Sequence, residues 1–176
     1  MNPIEMNERP LLPDILTAGL KVIFVGAAAS PRSARSGHWY AGPTNKFYLL
    51  LYQAGFTPRQ LNAEEDVELL RYGIGLTCIH PYVSSSANHL LPPPTEALRT
   101  ALAEKLQLYA PHIICYNGKD VYRMATGHNC SDWGEQESET GSSRIFVVHS
   151  SSSRADHWGR ERLAVYHELK RLAKTT

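Results

Sequence analysis

VVHSSSSRADHW, residues 147–158, sets an apolar run, four serines, an arginine and a tryptophan-bearing segment side by side. Serine runs are commonly solvated connectors. What flanks this one decides otherwise. Upstream, RIFVVHS (144–150) is a short β-branched apolar run suited to a buried strand. Downstream, between Asp156 and Ala173, Trp158, Val165, Leu169 and Leu172 recur at helical spacing. Lys170 and Arg171 stand where the helix dipole favours cations, and Asp156 is a reasonable N-cap. The serines therefore join a strand to a helix across a few residues, as α/β loops do.

The same form recurs along the chain. KVIFVG (21–26) and PHIICYNGK (111–119) are two more β-branched runs that end in turn residues. Between the runs lie three helix-like segments: NKFYLLLYQAG, AEEDVELLRYG and TEALRTALAEKLQLYA. In the last, Leu98, Leu102, Leu106 and Tyr109 share one face. This β-α alternation predicts an α/β fold, a mostly parallel sheet covered by helices on both faces. Pro92, Pro93 and Pro94, and the polar stretch GHNCSDWGEQESETGSS (127–143), read as surface connections, and no internal repeat is present.

With 176 residues, 43% of them hydrophobic and 20% charged, the chain is long enough for one core-bearing domain over 1–176, with 1–11 as a loosely packed extension. The formal net charge of +1 excludes a polybasic protein, so any nucleic-acid contact must come from a local patch. Three cysteines, Cys78, Cys115 and Cys130, lack a disulfide framework and point to a reducing compartment. The first 20 residues carry early acids and no apolar stretch suited to a signal or a span, so neither export nor membrane insertion is expected. The expected location is the cytoplasm of a bacterium, or the nucleus of a eukaryote.

Ligands of open α/β sheets bind beyond the carboxyl ends of the strands. Three loops should meet there: GAAASPRSARSGHWYAGPTN (26–45), YNGKD (116–120) and HSSSSR (149–154). The first offers small walls at Gly26, Ala27, Ala28, Ala29 and Ser30, then Arg32 and Arg35, then the pair Trp39 and Tyr40. The last offers hydroxyls, peptide N–H groups and Arg154, a set suited to phosphate. Small walls, a stackable aromatic and a phosphate-gripping loop are what holding a base rotated out of a duplex requires.

These residues resemble the mismatch-specific uracil/thymine-DNA glycosylases of the uracil-DNA glycosylase superfamily, from about Leu12 to about Leu172. The resemblance is carried by LPDILTAGLKVIFVG, by GAAAS where the family reads G-I-N-P-G, by YAGPTNKFYLLLYQAGFTPRQL, by RYGIGLT and by SSSSR. It implies a three-layer sandwich around a four-stranded, mostly parallel sheet. It also implies a monomeric, monofunctional enzyme that flips uracil, thymine or another damaged pyrimidine out of mispaired duplex DNA and hydrolyses its N-glycosidic bond, with no metal or cofactor. By position, Ala27 and its neighbours would hydrogen-bond the base edge, Tyr40 would stack on it, and Asn45 falls in the matching Pro-x-Asn segment. Ser150, Ser151 and Ser152 would pinch phosphates, and Arg154 would fill the hole left by the flipped base.

The departures define the chemistry still to be found. Ala28 stands where an Asn commonly positions the attacking water, Cys78 where an Asp substitutes in some relatives, and His149 where a Pro precedes the serine loop. His80, Asn88 and His149 are the remaining water-orienting candidates. Cys78 has no base partner and is not read as a nucleophile, and Cys78-x-His80 with His128-x-Cys130 fits no usual zinc spacing. Two rival readings stand beside the glycosylase: a non-catalytic mismatch or lesion binder that has lost the water-orienting group, and a nucleotide-binding module of similar topology.

Overall fold

The computed structural model describes residues 12–137 and 141–175, so the extension expected over 1–11 lies outside the described residues. Five strands form one sheet: β1 (Val22–Gly26), β2 (Ile74–Cys78), β3 (Ile113–Asn117), β4 (Gly134–Gln136) and β5 (Arg144–Val148), in the order β2-β1-β3-β5-β4. The first three and β5 are parallel, with Val22 opposite both Ile74 and Ile113, and Cys115 opposite Phe146. β1 supplies both cores by simple alternation. Val22 and Phe24 face one side with Phe47, Leu51, Tyr166 and Leu169, while Ile23 and Val25 face the other with Leu102, Leu106 and Val121.

Helices α2 (Phe47–Gln53) and α5 (Gly159–Lys174) cover the first face, and α3 (Glu96–Tyr109) and α4 (Lys119–Thr126) the second. α3 starts at Thr95, whose hydroxyl accepts from the Leu98 N–H at 3.3 Å. A short α1 (Pro31–Ser36) sits inside the long loop after β1, capped by Ser30, whose hydroxyl accepts from the Ser33 N–H at 3.1 Å.

The apolar runs give three strands and the resemblance implies four; five are found. The extra one, β4, lies in the polar stretch read as a loop and pairs antiparallel with β5, Glu135 opposite Phe146. Only three residues long, it is too short for alternation to register, and Arg144 holds its edge through Glu135 at 2.6 and 2.8 Å. The segment 63–72 is a 3-10 helix, not an α-helix, with non-helical backbone at Glu65. The terminal helix also starts differently. A 3-10 turn, Ser153–Trp158, precedes α5 and is capped by Ser152, whose hydroxyl accepts from the Arg154 N–H at 3.3 Å. Asp156 is not the cap; Arg162 holds it instead, at 2.8 Å.

Strand order fixes where a ligand fits. From β1 the chain goes to β2 on one side and then returns to β3 on the other, so the loops after β1 and β3 part company and leave a crevice between them.

Candidate active site

A cavity of about 230 Å³ occupies that crevice, at the carboxyl ends of β1, β2, β3 and β5. It is smaller than the roughly 300–1,000 Å³ usual for drug-sized ligands, a size suited to one ring and its sugar. Gly26, Ala27, Ala28, Ser30, Tyr40 and Asn45 all line it, as do Ser150, Ser151, Ser152 and Arg154. The loops expected to converge do converge.

Backbone hydrogen bonds shape the first wall. The carbonyls of Gly26, Ala27 and Ala29 accept from Ile79, His80 and Ser84 N–H groups at 3.0, 2.8 and 2.9 Å. Tyr40 adopts a left-handed backbone conformation (φ 53°), uncommon for a bulky residue. Its ring packs on Phe47 with centroids 4.1 Å apart, and a Cβ on Gly26 would lie 3.3 Å from its hydroxyl oxygen. Glycine at position 26 is what lets the phenol reach the cavity floor. Burial pushes the Tyr40 phenol upward in pKa, against a smaller opposing effect from the Asn117 side chain. Trp39 is a packing residue, its indole N–H donating to Pro13 O at 2.8 Å. Arg32 pins the loop through Ala41 O at 3.1 Å.

Two residues that sequence reasoning missed hold the opposite wall. Asn117, at the end of β3 and 5% exposed, lines the cavity and latches Ser151. Its Nδ2 donates to Ser151 Oγ at 3.1 Å and its Oδ1 accepts from Ser151 N at 3.0 Å. Gly118, at φ 119°, turns the chain immediately after it. Arg162, 6% exposed on α5, donates through Nη1 to Ser150 O and Ser152 O, both at 3.2 Å. A signal for each was present: Asn117 ends an apolar run, and Arg162 shares the buried periodicity of Val165, Tyr166 and Leu169.

The three water-orienting candidates part ways. Asn88 lines the cavity, and among the described residues its side chain has no hydrogen-bond partner. His80 does not line it. It borders a second cavity, behind Cys78 and Ala29 and against α3, with its ring 4.7 Å from that of Tyr82. His149 does not line it either. It is fully buried between Trp133, at 3.8 Å, and Trp158, at 4.7 Å. Both histidines lie beyond the ends of their strands, β2 ending at Cys78 and β5 at Val148, and the chain there turns both rings away from the cavity. Burial first, then Arg162, Lys119 and His157, lowers the His149 pKa to about 4; burial lowers that of His80. Both rings are neutral at pH 7.

The described cavity lining contains no carboxylate and no imidazole; besides apolar walls and the Trp39 indole, its side chains are hydroxyls, amides, the Cys78 thiol and Arg154. Burial pushes Cys78 up to about 12, so it carries no thiolate, and its Sγ lies 3.3 Å from His80 O. Among the described residues no group of three His, Cys, Asp or Glu side chains is placed to hold a metal, and no helix is long and apolar enough to cross a membrane. Arg154 is exposed at the rim, with no side-chain partner among the described residues.

A solved structure shares this architecture. The solution structure of "a putative Uracil DNA glycosylase" from Methanosarcina acetivorans is 18% identical, with a TM-score of 0.59, covering 92% of this chain and 98% of that one. Residues 13–172, nearly the whole chain and every cavity-lining residue except Leu12, match the sequence model of the Uracil DNA glycosylase superfamily, whose members are DNA glycosylases. The chain belongs to the Uracil DNA glycosylase superfamily.

Proposed function

We propose that this chain is a monomeric, monofunctional DNA glycosylase of base excision repair that excises uracil, and thymine or other damaged pyrimidines, from mispaired duplex DNA. It works as one domain over 1–176, in the bacterial cytoplasm or the eukaryotic nucleus. The observation that carries this reading is the single-ring cavity at the sheet's switch point, with an aromatic on one side and a latched serine loop and a free arginine on the other.

In the reaction, the electron pair of the bond between the sugar C1′ and the base nitrogen leaves with the base. Water then adds to C1′ and gives up a proton. The protein must stabilise the departing anion and aim the water. The carbonyls of Gly26, Ala27 and Ala29 are already engaged by Ile79, His80 and Ser84, which reduces the negative charge facing the base. The candidate for the water is Asn88, whose amide borders the cavity and has no partner among the described residues. Tyr40 bounds the base, Asn45 shapes the rim by accepting from the Phe47 N–H at 2.9 Å, and Arg154 is free to enter the duplex where the base has left.

One observation favours the non-catalytic reading: with Ala28 and Cys78 on the wall, the described lining contains no general base. Incubation with duplexes carrying G·U and G·T and with single-stranded uracil DNA, followed by alkaline cleavage of abasic sites, separates the two. Strand breaks at the mispair support the glycosylase. Mismatch-selective binding without breaks supports the binder, and saturable binding of free nucleotides with no preference for mispaired DNA removes both.

A further inference from the structure

The serine loop is unusual in where its carbonyls go. Ser151 O accepts from the Lys46 N–H at 2.8 Å, while Ser150 O and Ser152 O both accept from Arg162 Nη1, and Ala155 N–H adds a bond to Ser152 O at 3.0 Å. Three successive carbonyl oxygens are thus drawn inward. We propose that Arg162 is the positioning residue of the phosphate-gripping loop: from α5, it holds these carbonyls away from the DNA, so that the outer side offers the hydroxyls of Ser150 and Ser152, whose oxygens accept from Ser152 and Arg154 N–H, as donors to a phosphate. This rests on the DNA-binding reading above.

The physical case is one of sign and geometry. A phosphate approaching outward-facing carbonyls meets negative partial charge, and turning the carbonyls inward removes it. Only a planar, multi-donor cation can bridge two carbonyls two residues apart and a carboxylate at once, as Arg162 does with Ser150, Ser152 and Asp156. A lysine ammonium is a point donor and cannot span the three. Arg162 is 6% exposed and paired with Asp156, so it acts through the loop and not by touching DNA. Asp156 fixes the plane of the fork, which makes a surface carboxylate beside a DNA-binding loop an aid to binding.

That last consequence gives the sharpest test. Removing an acid near a DNA-binding surface ordinarily tightens binding. Here Asp156→Ala frees the guanidinium to rotate and is expected to weaken binding about threefold. The probe is a duplex with a G·U pair whose uridine carries a 2′-fluorine to resist hydrolysis. Arg162→Lys is expected to weaken it tenfold or more and to flatten the slope of log K against log salt by about 0.9, one phosphate contact. Melting temperatures identify any variant that has lost its fold, and Asp156→Ala, at a half-exposed site, keeps the question open to refutation should Arg162→Lys unfold. Tighter binding by Asp156→Ala, or native affinity and salt slope in a folded Arg162→Lys, overturns the assignment to Arg162 alone. A native protein that binds no duplex overturns the DNA reading, and this inference with it.

Discussion

Two loops form opposite walls of the cavity, and they are built in opposite ways. In the serine loop, the carbonyls of Ser150, Ser151 and Ser152 and the Ser151 N–H are all engaged by partners from α5, β3 and the start of α2. In the loop over 81–91, the described backbone ties to another segment are confined to Ala29, through the Ser84 N–H to Ala29 O bond at 2.9 Å and the bridge of Val83 to Ala29. The other bonds, such as Ser86 N–H to Ser84 Oγ and Leu90 N–H to Ala87 O, stay local. The first loop is tied from three elements, which on the proposed function suits a grip on a repeating phosphate. The second can adjust, and it carries Asn88. On the proposed function, fixed geometry falls where the DNA backbone is invariant, and fewer ties where a flipped base would be admitted.

The largest effect that sharpens this contrast lies on the adaptable wall. Asn88→Ala should lower the single-turnover rate on G·U duplex by at least about a hundredfold, the scale of losing one oriented polar group in an active site. Because the amide has no partner among the described residues, the unfolding free energy from urea melts should stay within about 0.5 kcal/mol of native. Native turnover in Asn88→Ala would remove the water-orienting assignment.

Next comes acid. In the unfolded chain His149 has its ordinary pKa of 6.5, and in the fold it is lowered to about 4. Between those values the unfolded state binds the proton more readily, so folding loses stability as pH falls through 6.5 towards 4, by up to about 3 kcal/mol. Glu161, 3.8 Å from the ring, works against part of this. His149→Phe keeps the stack with Trp133 and Trp158 and should flatten that slope in urea melts at pH 7, 5.5 and 4.5. An unchanged slope would assign the acid sensitivity to another group.

A smaller effect probes the rigid wall. Asn117→Ala strands the buried Ser151 N–H and hydroxyl and should cost about 2 kcal/mol. It should also raise KM for duplex more than it lowers kcat, if the loop it releases grips phosphate as proposed. An effect on kcat alone would move Asn117 into the chemistry.

The fold was legible because its strands are buried on both faces and read as unbroken apolar runs; KVIFVG and PHIICYNGK announce themselves. β4 was not, since a three-residue polar edge strand has no pattern to display. For the site, loop convergence followed from topology, and all ten residues assigned to the pocket and the DNA grip border the cavity. The direction of single side chains at strand ends did not follow. His80 and His149 fit by residue type and loop position, but the chain beyond β2 and β5 turns each ring away from the cavity. Arg162 was hidden for the converse reason: on a helix whose partner was unknown, a charged residue on the apolar face looks like a surface residue.

The smallest predicted change tests whether the 81–91 wall is loosely held. Leu90 is 68% exposed on the short 3-10 turn Asn88–Leu90, while its neighbour Leu91 is 9% exposed and belongs to the core on the α3 side. If Leu91 alone anchors the turn, Leu90→Gln removes little buried surface and should change the unfolding free energy from urea melts by less than about 0.5 kcal/mol, whereas Leu91→Ala should cost about 2 kcal/mol or more. A cost above about 1 kcal/mol for Leu90→Gln would mean that Leu90 is buried against the protein in solution. The 81–91 wall would then be pinned at both ends, like the serine loop, and the division between a fixed grip and an adjustable mouth would not hold.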